Sequence, residues 1–166
     1  MEQGTYDALN SLLQASFNLN AEADNFAYNL SYMQYGHMSD IVHHSYAHAF
    51  PVAFADAISD EMLELDVRPV RLALAEYNKQ YTSLTEIFED NLNMMKKYRT
   101  KVEEAITTAD FNQDTSVKVF LEDFAVRVVD KFLAQAVEWK KCAEQVSAIE
   151  LNVHFATFTT HIEVTD

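Results

Sequence analysis

Four stretches of this chain repeat their apolar residues at the three-and-four spacing of a single helix face. The first covers about residues 5–36 and carries Leu9, Leu12, Leu13, Phe17, Ala23, Phe26, Ala27, Leu30 and Met33 on its stripe. The second covers about 40–65, after Ser39 or Asp40 as N-cap candidates, and stops before Val67, Arg68 and Pro69. Pro51 falls inside it. An interior proline costs about 3 kcal/mol, so either the helix bends there or it begins near Phe50 after a separate turn. The third stretch follows Ser83, which forms a candidate capping box with Glu86, and holds Leu84, Ile87, Phe88, Leu92, Met95, Tyr98, Val102 and Ile106. A polar turn at 109–114 leads to the fourth, from about Thr115, with Val119, Phe120, Phe124, Val128, Phe132, Leu133, Ala136 and Trp139.

Between the second and third stretches, the segment 69–81 places Val70, Leu72, Leu74 and Tyr77 among polar residues. It is too short for the main bundle and is expected to form a short crossing helix. The tail 151–166 is richer in Val and Thr, with Val153, Phe155 and Thr157 suggesting an extended segment that pairs with a neighbour or lies along the bundle; a frayed end is the alternative. The expectation is one domain over 1–166, all-α, with the bundle at about 5–150. A bundle with a long connection in the middle is the arrangement of ferritin-like folds.

Composition narrows the class. Two glycines and two prolines in 166 residues leave few turns, which favours long helices, and 49% hydrophobic residues suffice for one sizeable core. With so little glycine, no phosphate-cradling loop is available. A net charge of -14 argues against binding nucleic acid, whose affinity comes from clustered Lys and Arg. It either attracts cations or serves solubility. Cys142 stands alone, so no internal disulfide can form, and it reads as structural rather than nucleophilic. The start MEQGTYDALN lacks the basic and apolar regions of a signal peptide, which makes the cytoplasm the expected location. No apolar run approaches the roughly 18 residues of a membrane span.

Several motifs fall in a familiar order. LNSLLQASF precedes Asn25, Phe26, Tyr28 and Asn29; Arg68, Pro69 and Val70 precede Leu74, Glu76 and Tyr77; and SLTEIFEDNL opens the third helix. The order resembles the Dps family of small ferritins, through Trp139. The resemblance implies a ferritin-like four-helix bundle with a short crossing helix between helices 2 and 3, oxidation and storage of ferrous iron, and a homo-oligomer, a shell of twelve subunits. In that family the oxidation site lies between subunits. It uses a first-helix histidine, a histidine and an aspartate early in the second helix, and two acidic residues four apart near its end. Asp56 and Asp60 match the last pair, the early second-helix ligands fall near 41–45, and Ala27 stands where the first histidine belongs. Alanine cannot bind metal, so the site is lost or rebuilt.

Material for rebuilding lies in His37, Asp40, His43, His44 and His48. On a helix Asp40, His44 and His48 follow at four-residue steps, a spacing that suits imidazole and carboxylate ligation of iron, or of zinc as the alternative metal. Asp56 and Asp60 continue the row, but each step drifts by about 40°, so Asp40 and Asp60 lie roughly 200° apart and need two clusters or a bend at Pro51. The candidate ligands are therefore Asp56, Asp60, His37, His44 and His48, with surface histidines and solvated carboxylates as the plain alternative. The larger ferritin site, with Glu-x-x-His in the second helix and Glu-x-x-Gln in the fourth, has no counterpart here: FLEDF at 120–124 resembles the fourth helix, but Arg127 and Val128 follow it. Two functions stand: iron oxidation and storage at a divergent site, or a non-catalytic ferritin-like interaction protein that has lost it.

Overall fold

The computed structural model describes residues 1–158. Helix α1 spans Gln3–Tyr32. A second rod is continuous over 36–64: α2 (Gly36–Ile41), wide π-helical turns at Val42–Ala47 and Phe50–Asp56, and α3 (Ala57–Glu64). Helix α4 spans Leu84–Phe111. The fourth rod joins α5 (Thr115–Phe124), a π-helical turn at Ala125–Val129 and α6 (Asp130–Gln145). Pro51 therefore neither starts nor stops the second rod. It sits at the opening of a π-helical turn, where rearranged hydrogen bonding absorbs its missing N–H and its ring.

With only two glycines, the chain reverses direction on non-glycine residues. Gln34, Asp66 and Gln113 take the left-handed conformation at φ 70, 57 and 60°. Each is followed by an amide that reaches five residues back: Tyr35 to Leu30 O, Val67 to Met62 O and Asp114 to Ala109 O, all at 2.9 Å. This is the Schellman closure, which satisfies carbonyls a helix end otherwise leaves open. Ser83 is the N-cap of α4 in extended conformation, but its side chain makes no capping bond, and the expected box with Glu86 does not form. Glu86 pairs instead with Lys79 Nζ at 3.0 Å.

The topology is up, down, down, up. Asn20 Nδ2 donates to Ala47 O and His43 meets Asp24, so the second rod runs against α1. Asn112 Nδ2 donates to Thr5 Oγ1 at 3.0 Å, so α4 also runs against α1. The second rod and α4 thus point the same way, and the segment between them must travel the length of the bundle. A helix over 69–81 would cover only about 20 Å at 1.5 Å per residue, whereas α1 is about 45 Å long. The segment is accordingly extended, not the expected crossing helix. Val70, Leu72 and Leu74 all face solvent, as do Arg71, Ala73 and Ala75.

An extended chain lying on a helix leaves its backbone groups unpaired unless side chains reach them. Here α1 supplies a row of polar side chains, one phenol and then amides. Tyr6 OH donates to Arg68 O (3.0 Å), Asn10 Oδ1 accepts from Val70 N (2.8 Å), and Gln14 Nε2 donates to Ala73 O (2.6 Å). Asn18 Oδ1 accepts from Ala75 N (3.2 Å), and Asn25 and Asn29 donate to Lys79 O (3.0 and 3.1 Å). Asn29 Oδ1 closes the series on Tyr81 N at 2.9 Å. The registers match because one four-residue step along α1 rises about 6 Å, close to two residues of extended chain.

The tail differs from its expected extended form. Residues 148–154 are helical (α7, Ala148–His154), with Ser147 capping Glu150 N, and a 3-10 turn follows at Phe155–Phe158. Leu151 and Phe155, four apart, both bury, and Phe155 lies 5.0 Å from the Trp139 ring and 5.9 Å from Phe88. Gln135 and Trp139 donate to Phe158 O at 2.7 and 3.1 Å. The rest of the expected tail, 159–166, lies outside the described residues.

Asn29→Ala is expected to destabilise the protein by about 1 kcal/mol in urea unfolding, since it strips the partner from Tyr81 N while Lys79 O keeps Asn25. In hydrogen exchange the amides of Val70, Ala75 and Tyr81 should be protected relative to their sequence neighbours; equal exchange along 69–81 would refute the ladder. Gln113→Gly should raise stability by about 1 kcal/mol, because glycine carries no penalty at this positive φ.

Candidate functional site

The middle of the bundle is filled by rings. Phe54 stands 5.3 Å from Tyr98, 5.6 Å from Phe124 and 4.9 Å from Phe132, and Tyr46 stands 4.9 Å from Phe50 and 4.8 Å from Trp139. Two hydroxyls enter this region and both are paired: Tyr98 OH with Ser16 Oγ at 2.9 Å, and Tyr46 OH donating to Asn91 Oδ1 at 2.7 Å. Burial pushes both phenols above their ordinary range, so they stay neutral. Among the described residues the buried polar side chains are Thr5, Asn10, Ser16, Ser39, Ser45, Asn91 and Gln135, with no carboxylate and no imidazole. Hydroxyls and amides are poor substitutes for the carboxylates and imidazoles of a di-iron centre.

The five sequence-derived ligands do not converge. His37 is exposed near the start of the second rod, while Asp56 and Asp60 are exposed near its other end, about two and three turns beyond His48. Among the described residues no group of three or more His, Cys, Asp or Glu side chains could hold a metal ion. His44 and His48 do meet, with ring centres 5.9 Å apart. They meet a third imidazole as well: His43 lies 4.6 Å from His44 and 5.1 Å from His48. His43 Nδ1 is 2.8 Å from Asp24 Oδ1 on α1, a carboxylate that sequence reasoning did not bring to this site.

The gathering of His43 with His48 depends on the π-helical turn. Residues five apart on an α-helix point about 140° away from each other, whereas i to i+5 bonding stacks them on one side. The turn at Val42–Ala47 therefore moves His43 onto the row of His44 and His48. A proline just downstream, Pro51, was the one sequence signal of departure from regular α-helix. Asp24, in contrast, is visible only once α1 and the second rod are packed.

A separate polar network lies where the extended segment reaches α4. Asp90 Oδ2 accepts from Lys79 Nζ at 2.7 Å and from Tyr81 OH at 2.6 Å. Glu22, half-buried beside this network, is raised from an ordinary 4.5 to about 6 by burial, with Lys97 opposing and Asp90 reinforcing the shift. Because the folded-state value is raised for an acid, the folded form is favoured below pH 4.5 and loses stability as pH rises through about 6. Glu22→Gln is therefore expected to match the wild type near pH 4 and to exceed it by about 1 kcal/mol at pH 7, a figure halved for partial solvation. Unfolding midpoints of the two proteins measured from pH 4 to pH 8 check this; parallel curves would refute it.

The fold matches the open-pore ferritin of the hyperthermophilic archaeon Archaeoglobus fulgidus with a TM-score of 0.85, at 15% identity and over 94% of each chain. An engineered closed form of the same ferritin matches at 0.85 and 15% identity, over 94% of this chain and 93% of that one. A humanized archaeal ferritin matches at 0.84 and 13% identity, over 94% and 93%. At such identities these likenesses establish the fold. No curated protein matches the chain in sequence. The family model described as a ferritin-like domain matches residues 6–138, most of the chain. A four-helix bundle of up, down, down, up topology, an extended segment along its first helix, and a family match across all four rods establish that the chain belongs to the ferritin-like domain family.

Proposed function

We propose that this chain is a subunit of a homo-oligomeric iron-storage assembly that holds no di-iron oxidation centre inside its own bundle. One observation carries the reading: the space between the four rods is packed with Phe54, Tyr98, Phe124 and Phe132, where oxidation would need carboxylates. Storage draws support from the family and from the net charge of -14, which concentrates cations at the surface. Iron is cargo in this reading. The order of sequence motifs favours a Dps-type shell of twelve, in the cytoplasm, and the same charge favours no association with nucleic acid. Among the described residues no helix is long and apolar enough to cross a membrane.

A second reading, ferrous iron oxidation at a rebuilt surface site, is favoured by the approach of His43, His44 and His48. Asp56 and Asp60 stand too far along the rod to complete that site within one subunit. They would do so only from a neighbouring copy.

Two measurements test the function. Light scattering at micromolar concentration is expected to give an oligomer, about 230 kDa for twelve copies of the 19.0 kDa chain; a mass near 19 kDa would overturn the assembly. Ferrous iron added under oxygen or peroxide is expected to co-sediment with the protein yet oxidise no faster than in buffer. Fast oxidation that disappears in His44→Ala with His48→Ala would replace the storage reading with the second one. No retained iron at all would remove both.

A further inference from the structure

Residues 96–101 of α4 carry Lys96, Lys97, Arg99 and Lys101 and no acid, a local reversal in a chain of net charge -14. Arg99 is committed to Glu103 and Asp130, at 3.1 and 2.7 Å. Lys97 and Lys101 close no ion pair among the described residues, although Asp and Glu outnumber Lys and Arg by 26 to 12. Four residues apart, they share one face of α4 and stand about 6 Å apart along its axis.

Both lysines border a cavity of about 150 Å³ between α1, α4 and the extended segment. Leu19 and Met94, both buried, give it an apolar side, while Asn18 and Glu22 of α1 and Tyr77 of the segment give it a polar one. At about 30 Å³ per water, it has the bulk of one small oxyanion and is too small for a nucleotide. Its donors are uncommitted. Asn18 turns Oδ1 to Ala75 N, and among the described residues neither its Nδ2 nor the Tyr77 hydroxyl has a hydrogen-bond partner.

Glu22, the acid on this wall, is one whose charge the fold suppresses. Burial raises it from an ordinary 4.5 to about 6; of the charges on α4 and the extended segment, Lys97 and Lys79 oppose the shift and Asp90 reinforces it. Tyr46 of the second rod and Tyr77 and Tyr81 of the segment also feel Glu22, and burial keeps all three phenols neutral. A protonated carboxyl donates a hydrogen bond where a carboxylate would repel, so an oxyanion entering between two ammonium groups draws a proton onto Glu22.

We propose that Asn18, Glu22, Tyr77, Lys97 and Lys101 form a binding site for one tetrahedral oxyanion per subunit. Charge-assisted hydrogen bonds from two ammonium groups are the strong kind, and Glu22 is the only acid that borders the cavity. The site needs no metal, and neither this proposal nor the storage reading depends on the other.

Sulfate is the probe, because its charge does not change between pH 5 and pH 8. The full chain is titrated with it by calorimetry over that range, at constant ionic strength in chloride. Wild type at pH 5 is expected to bind one sulfate per subunit, saturating at millimolar concentration, and to bind about 10-fold or more weakly at pH 8 as Glu22 loses its proton. Lys97→Ala and Lys101→Ala, both at exposed positions, should each weaken binding about 10-fold. Lys96→Ala removes the same charge outside the cavity and should bind as wild type does. Glu22→Gln, a permanent donor, should bind at pH 8 as tightly as at pH 5. Inorganic phosphate should displace the sulfate, since shape and charge are what the site recognises. Circular dichroism matched to wild type confirms that each variant is folded. No saturable sulfate binding at pH 5 would overturn the proposal, as would undiminished affinity in Lys97→Ala with Lys101→Ala. So would an equal loss in Lys96→Ala, a wild-type pH dependence in Glu22→Gln, or a sulfate signal that phosphate leaves untouched.

Discussion

The hydrogen-bonded seam between α1 and the extended segment 68–81 is the constraint on which the rest of this structure depends. Two neighbouring rods that point the same way cannot be joined by a tight turn, so their link must cross the whole bundle. An extended chain covers the distance, but it has no partner strand. Its carbonyls and amides are satisfied by Tyr6, Asn10, Gln14, Asn18, Asn25 and Asn29, spaced so that each reaches the next accessible backbone group. Because α1 spends this face on the seam, its opposite face, with Leu9, Leu12, Leu19, Ala23, Phe26 and Leu30 buried, is the one left for the core.

That division of α1 also fixes where chemistry can occur. The inward face carries only Ser16 as a polar group near the rings of the bundle centre, and its hydroxyl is committed to Tyr98 and to Leu12 O. The seam face is occupied by a phenol and amides. What remains are two edges: toward the second rod, where Asp24 reaches His43, and toward α4, where Glu22 borders the cavity shared with Lys97 and Lys101. The imidazole cluster and the oxyanion cavity therefore sit at the boundaries of α1 that neither the core nor the seam has claimed.

The second rod shows how a local irregularity can determine which side chains meet. A regular α-helix through 36–64 would keep His44 and His48 together and leave His43 to one side. The π-helical turns, which the proline at position 51 helps to impose downstream, change the angular step and collect all three rings. The same departure means that a drift calculated at 3.6 residues per turn does not apply across this stretch.

Much of the architecture was legible in the chain itself. Apolar spacing gave four rods, the scarcity of glycine and proline excluded a sheet, and Thr115 and Ser83 marked helix starts that hold. The resemblance drawn from Asn25, Phe26, Arg68 and Pro69 led to the right superfamily. The extended segment was missed because Val70, Leu72 and Leu74 fit a short amphipathic helix as readily as a strand; only the topology, which sets a span no helix of that length can cover, separates the two. The tail as far as Phe158 was misread because its β-branched residues suggested extension, whereas burial of Leu151 and Phe155 against Trp139 rewards a helix. His43 was named as material for rebuilding but left off the row of His44 and His48, and Asp24 was missed altogether, for a similar reason. Their proximity depends on an i to i+5 turn and on the packing of two helices, and periodicity along a single chain encodes neither.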